Sequence, residues 1–370
     1  MLVVVKIGST SLTGDRGDVD AGAIDMLCGQ VAAVREAGHE AIVVTSGAVT
    51  SGLAILSEAG SLSGAGRPDD PEMLQAASAV GQSRLMGVYE TLLRRRSLVC
   101  GQVLLTYGDF VQRSRYLNAR RTFEHLLRLG VVPVVNENDA VADEEIRFGD
   151  NDRLAALVGN MLGADLLVLL TDTAGLLEQS PHLAGEATLI EEVVEIDHEI
   201  EMLADGSASE AGTGGMVSKL AAAKIASWSG VRVVIAAAGR EQVVMDAVAM
   251  KPGVGTIIHP RPRRQRIGAR KLWIAFALPS LGRIAVDDGA RDALVLRGGS
   301  LLLAGVLSAQ GSFDAGDAVE ITNARGEVFA KGLARLDASS LRAQAGRQRM
   351  DIARAMPREA VHRDDLVIVD

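Results

Sequence analysis

The chain has 370 residues, of which 48% are hydrophobic and 23% charged, a balance that excludes a disordered chain and allows a large core. Aromatic residues make up only 3%, so that core must be built from Ala, Val, Leu and Ile. The net charge of −9 is unevenly spread: residues 1–260 carry −14 and residues 261–370 carry +5, which points to a separate C-terminal module.

The N-terminal "MLVVVKIGS" reaches a charge after five residues, too short an apolar run for a secretory signal. The later run "LVGNMLGADLLVLL" is broken by Asn160 and Asp165, so no membrane span is expected. Cys28 and Cys100 both lie in apolar surroundings and read as core thiols of a cytoplasmic protein. No Cys/His cluster has metal-ligand spacing.

Short apolar runs predict strands at residues 2–7, 40–45, 98–106, 130–136, 165–171, 231–237 and 256–259. Amphipathic periodicity predicts helices at 20–37, 72–96, 115–129, 152–163, 216–229 and 240–249. Continuous β-branched runs suit strands covered on both faces. The alternation therefore argues an open, mostly parallel α/β sheet, which binds ligands at the carboxyl ends of its strands. Residues 58–71, rich in Gly, Ser, Pro and Asp, read as a mobile loop. The segment "HPRPRRQRIGARK" (259–271) has two prolines and six basic residues and reads as part of a linker. This divides the chain into a catalytic domain at 1–260, a basic linker at 261–275 and a small mainly-β domain at 276–370. In that last part short strands are punctuated by "DDG", "RGGS", "SFDAGD" and "NARGE", with one helix around "DASSLRAQAG".

Five polar clusters fall at predicted strand ends. In "KIGSTSLTG", Lys6 is delivered from a strand into a turn at Gly8 and can reach a phosphate; a solvent-facing Lys on an ordinary turn is the plain alternative. In "VVTSGAV", Thr45, Ser46, Gly47 and Ala48 offer hydroxyls and N–H groups at a helix start, either as an anion site or as a Ser cap. The stretch "NENDAVADEEIRFGDND" (136–152) holds more carboxylates than helix capping needs. A pocket that reads an amino group, or that organises lysines, explains them better than an N-cap at Asp150–Asp152. "LLTDTAGL" ends a buried strand at Thr171 and Asp172, and "GTGGMVSK" sets Thr213, Gly214, Gly215, Met216, Val217 and Ser218 ahead of Lys219 at a helix start. The chain contains neither a Walker A motif nor a Rossmann G-x-G-x-x-G. Two lysines, small-residue anion turns and one acidic pocket on one side of one sheet fit phosphoryl transfer without a P-loop.

The motifs "VVKIGS", "VTSGAV", "GQSRL" (81–85), "NENDAV" (136–141), "GDND" and "GTGGM" (212–216) resemble those of the glutamate 5-kinases in the amino acid kinase superfamily. The tail, with "DDGARDALVLRGGSLLLAGV", "GSFDAGDAVEI" and "VHRDDLVI", is similar to a PUA domain. The resemblance implies a three-layer αβα sandwich followed by a small PUA barrel. It implies ATP- and Mg²⁺-dependent phosphorylation of the L-glutamate side-chain carboxylate, inhibition by L-proline, and a homodimer or homotetramer. It assigns Lys6 and Gly8 to ATP, with Thr171, Asp172 and the loop from Thr213 through Gly214, Gly215, Met216, Val217 and Ser218 to Lys219. It assigns Ser46, Asp139 and Asn151 to glutamate, and Asp152 to the orientation of Lys6 and Lys219. No residue is assigned to hold Mg²⁺. Val217 departs from the pattern, because a small hydroxyl residue is usual there. The rival readings are an N-acetylglutamate kinase, an aspartokinase, or a kinase with an added RNA-binding role in its tail.

Overall fold

The first strand explains the architecture around it. Leu2–Ile7 (β1) is a six-residue apolar run with one charge, and every residue of it is buried. Such a strand must lie in the middle of a sheet covered on both faces. β1 pairs in parallel with Glu40–Val44 (β2) on one side and Leu166–Thr171 (β5) on the other. The structure, a computed structural model, describes residues 1–14, 17–61, 68, 70–141, 151–178, 188–205, 215–262, 266–344 and 359–369.

The remaining strands of this sheet are Cys100–Leu105 (β3), Val132–Glu137 (β4), Glu192–Val193 (β6), Arg232–Ala237 (β7) and Thr256–Ile258 (β8). Their order is β3-β4-β2-β1-β5-β7-β8-β6, parallel except for the β7–β8 pair. Strand order reverses at β1, which makes its carboxyl end the crevice of the sheet.

Nine helices flank the sheet among the described residues: Ala21–Glu36 (α1), Ala48–Glu58 (α2), Pro71–Arg94 (α3), Gly108–Val111 (α4), Arg113–Arg128 (α5), Asn151–Leu162 (α6), His198–Asp205 (α7), Met216–Ser229 (α8) and Val243–Val248 (α9). Side chains alternate along β1. Val3, Val5 and Ile7 join a core with Ile24, Leu27 and Val31 of α1, Leu85 and Tyr89 of α3, and Val243 and Val244 of α9. The pleat therefore turns Val4 and Lys6 to the other face, where α6 and α8 pack against each other. Burial of each such Val, Leu or Ile contributes roughly 1.5–3 kcal/mol.

α2 and α3 cross closely because two glycines permit it. A Cβ on Gly52 would lie 1.7 Å from the Ala77 carbonyl oxygen, and one on Gly81 would lie 1.9 Å from that of Ala48. Gly47, at φ +98°, makes the left-handed turn into α2. Cys28 is buried and Cys100 half-buried, and both are free thiols.

The chain divides into two compact units after Arg266. The second opens with a short helix, Ala269–Leu272 (α10), that runs on into a π-helical stretch, Trp273–Ala277. Its sheet contains Gly282–Val286 (β9), Leu301–Leu302 (β10), Val306–Gly311 (β11), Ala318–Thr322 (β12), Val328–Ala334 (β13) and Glu359–Ile368 (β14), in the order β10-β14-β13-β12-β9-β11. Among the described strand pairs of this sheet only β9–β12 is parallel. Ile284, Val286, Val319, Ile321, Phe329 and Val361 fill its core. The "DASSLRAQAG" segment is helical over Ala338–Gln344 (α12).

Some elements differ from the expectation. "DDGARDALV" is a helix, Asp288–Val295 (α11), rather than a turn between strands, because Asp287 accepts a hydrogen bond from the Ala290 N–H at 2.7 Å and caps it. Strand β6 and helix α7, of two and eight residues, carry too little periodicity to be read from sequence. Residues 62–67 and 69 of the expected loop at 58–71 lie outside the described residues.

Candidate active site

A helix that follows a parallel strand runs back along the sheet, so its N-terminus lies at the strands' carboxyl edge. α6 and α8 both begin there, and they bring Asp152 and Lys219 to Lys6. The Asp152 carboxylate lies between the two ammonium groups: Oδ1 is 2.6 Å from Lys6 Nζ and Oδ2 is 3.3 Å from Lys219 Nζ. Asp152 is fully buried, and the lysines are 3% and 5% exposed. Asp152 thus holds two ammonium groups in a desolvated place, beside two helix N-termini that add partial positive charge. That combination attracts an anion.

The Ser218 hydroxyl sits 3.2 Å from Asp152 Oδ2 and 2.8 Å from the Gly215 carbonyl oxygen, so it can brace the acid from the first turn of α8. Gly215 is the N-cap of α8 in extended conformation; Met216 is half-buried, and Val217 is exposed with its side chain turned outward. Thr213 and Gly214 lie outside the described residues. A Cβ on Gly8 would come 3.6 Å from Lys6 Nζ, so glycine there keeps the approach to the ammonium open. Thr171 and Asp172 end β5, the neighbour of β1, with the Thr171 hydroxyl donating to Asp172 Oδ1 at 3.0 Å. Thr171 is buried and Asp172 exposed.

A second group of residues lies beside this triad. Asn151, next to Asp152 at the start of α6, donates from Nδ2 to the Thr45 carbonyl oxygen at 2.5 Å and to Asn136 Oδ1 at 2.7 Å, with Ser46 Oγ at 3.1 Å. Both amide hydrogens of Asn151 are thereby engaged, so what it offers a ligand is its Oδ1 acceptor. Asp139, just past β4, accepts at Oδ2 from the Ser78 hydroxyl at 3.0 Å. Asn136 Nδ2 donates to Gln82 Oε1 at 2.7 Å, and Tyr89 and Thr45 share a hydrogen bond at 3.0 Å between their hydroxyls. Burial holds the Tyr89 phenol far above its ordinary pKa, so it stays protonated.

The structure thus gathers Lys6, Asp152 and Lys219 into one contact group and links Ser46 to Asn151 directly. Asp150 and the acids Asp143, Glu144 and Glu145 lie outside the described residues. Ser78, Gln82 and Tyr89 were not singled out as site residues. Their signal was a polar stripe at 78, 82 and 89 on a helix whose other inward positions are apolar.

The model of the amino acid kinase family matches residues 1–237, and that of the PUA domain matches residues 282–356. The chain is 42% identical over 371 residues to a glutamate 5-kinase of Marinomonas sp. (strain MWYL1), spanning 99% of this chain and 97% of the relative. It is 44% identical over 373 residues to one from Salinispora arenicola (strain CNS-205), with the same coverage. Among solved structures, carbamate kinase from Giardia lamblia bound to AMP-PNP superposes with a TM-score of 0.51 at 16% identity. That match covers 70% of this chain and 98% of the other, a likeness of fold. The chain therefore belongs to the amino acid kinase family and, within it, to the glutamate 5-kinases that carry a C-terminal PUA domain.

Proposed function

We propose that the protein transfers the terminal phosphoryl group of ATP to the side-chain carboxylate of L-glutamate, forming L-glutamyl 5-phosphate for proline synthesis. The observation that carries the reading is the buried Lys6–Asp152–Lys219 group beside a pocket bearing Asp139 and Asn151. Full-length relatives that bear the glutamate 5-kinase name support the choice of acceptor.

The chemistry suits the residues present. A glutamate side chain has an unperturbed pKa of ~4.3 and is already an anion at neutral pH, so no general base is needed. The six histidines all lie outside the five motifs. What must be overcome is repulsion between an anionic nucleophile and a polyanionic phosphate chain. Lys6 and Lys219 offset it, and Asp152 holds both ammonium groups in place. Asp139 supplies the counter-charge for a free amino group, with Asn151 Oδ1 as a further acceptor. Thr171, Asp172 and the Gly215–Lys219 segment line the nucleotide side in this reading.

The donor set fits a triphosphate. In this reading Mg²⁺ would arrive with the nucleotide phosphates. There it would supply charge neutralisation.

Three further points belong to the same reading: a cytoplasmic setting, inhibition by L-proline, and a homodimer or homotetramer. An RNA-binding role for the tail rests on its PUA match and its net charge of +5. Among the described residues no helix is long and apolar enough to cross a membrane.

The test is ADP release from ATP with L-glutamate, N-acetylglutamate and L-aspartate compared side by side. Turnover confined to L-glutamate is expected. Preference for N-acetylglutamate, which has no ammonium group for Asp139 to meet, would overturn the reading.

A further inference from the structure

α3 carries Ser78, Gln82 and Tyr89 at spacings of four and seven residues, which places them on one helical face. Each meets a different part of the pocket: Ser78 holds Asp139, Gln82 holds Asn136, and Tyr89 holds Thr45. All three are 7% exposed or less. The helix carrying them is fixed in height by its glycine crossing with α2, since Gly81 precedes Gln82 and abuts the Ala48 carbonyl.

The direction of the amide chain follows from one unambiguous donor. The backbone N–H of Glu137 can only donate, and it points at an Asn136 side-chain atom 2.9 Å away, so that atom is Oδ1. Asn136 Nδ2 must then face α3 and requires an acceptor, which is Gln82 Oε1. On the other side Asn136 Oδ1 also accepts from Asn151 Nδ2, whose remaining hydrogen goes to the Thr45 carbonyl. Thr45 is itself steadied by Tyr89. Reversing the Gln82 amide would set two donors against each other and release the whole chain. The Nε2 of Gln82 is buried and has no hydrogen-bond partner, so it is the acceptor oxygen that serves the network.

We propose that α3 is the positioning element of the acceptor pocket and that Gln82, acting through Asn136, fixes the orientation in which Asn151 presents its side-chain carbonyl to the amino acid substrate. Gln82 is a positioning residue, not a catalytic one, and its effect is confined to the acceptor side of the reaction. The proposal rests on the phosphoryl-transfer reading above.

The test uses the full chain and steady-state kinetics with both substrates varied. Gln82→Met removes the acceptor at similar volume; Gln82→Glu, protonated by burial, keeps a carbonyl oxygen facing Asn136. For Gln82→Met the KM for L-glutamate is expected to rise about tenfold or more, with the KM for ATP changed by less than about twofold. Gln82→Glu should recover most of that loss. Should Gln82→Met not fold, Gln82→Ser, which leaves room for a water, reads the same pair of KM values. An unchanged glutamate KM in Gln82→Met, an equal rise in both KM values, or a Gln82→Glu variant as impaired as Gln82→Met would each overturn the proposal. A wild-type protein that releases no ADP with L-glutamate would overturn the functional reading, and this proposal with it.

Discussion

In the proposed reading the phosphate side depends on Asp152. It is fully buried and touches both ammonium groups. Removing one partner of a buried ion pair costs about 3–5 kcal/mol, because the charge left behind has no water to turn to. Asp152→Asn should therefore lower the melting temperature of the ligand-free protein, and saturating ATP should restore part of the loss by supplying negative charge to the lysines. A melting temperature equal to wild type would show that the lysines do not need the acid. In the proposed reading Asp139 meets the other substrate. Asp139→Ala should raise the KM for L-glutamate by roughly tenfold or more and leave that for ATP in place, as loss of a charged hydrogen-bond partner implies. An unchanged glutamate KM would remove the ammonium assignment.

Elements place these residues where single positions do not suggest it. The crossing of α2 and α3 depends on Gly52 and Gly81, and Gly81→Ala would put a methyl group 1.9 Å from the Ala48 carbonyl oxygen. Overpacking of this kind costs about 1–3 kcal/mol, and α3 must shift away to relieve it. The prediction is a lower melting temperature together with a raised glutamate KM, since Ser78, Gln82 and Tyr89 move with the helix. Loss of stability without any change in that KM would separate α3 from the pocket.

α9 illustrates a different dependence. Asp246 accepts from Lys251 Nζ at 2.6 Å and Arg240 Nη2 at 3.0 Å, and the Lys251 contact, with Arg240 in support, holds its carboxyl below the ordinary 3.8. A lowered folded-state pKa means that the stabilisation is complete above the unfolded value and fades as pH falls through the folded one. Melting curves of wild type and Asp246→Asn should differ at pH 6, start to converge as the pH falls past ~3.8, and meet only below the lowered folded value. A gap that persists in acid would assign the effect to packing instead.

At the scale of the whole molecule, the long elements were legible because their sequence signals are physical necessities. A buried parallel strand must be an unbroken apolar run, and Lys6 stands out because it interrupts one. Asp152 and Lys219 stand at helix starts after small or polar residues, where anion sites form. The positioning residues on α3 were not legible in the same way, because a Gln or Ser on a helix looks like surface until the partner strand is known. The short β6 and α7 fell below any periodicity, and α11 was hidden by an Asp-Gly pair that also begins turns. Every described residue of the site belongs to the unit ending at Arg266. The site itself joins segments more than two hundred residues apart, Lys6 on β1 and Lys219 on α8, and that convergence is the central claim. The most direct test is the kcat of Lys219→Ala at saturating ATP and L-glutamate. By analogy with removal of one preorganised charge-stabilising donor, the account predicts a loss of about 100-fold or more with the protein still folded. A kcat close to wild type would contradict it.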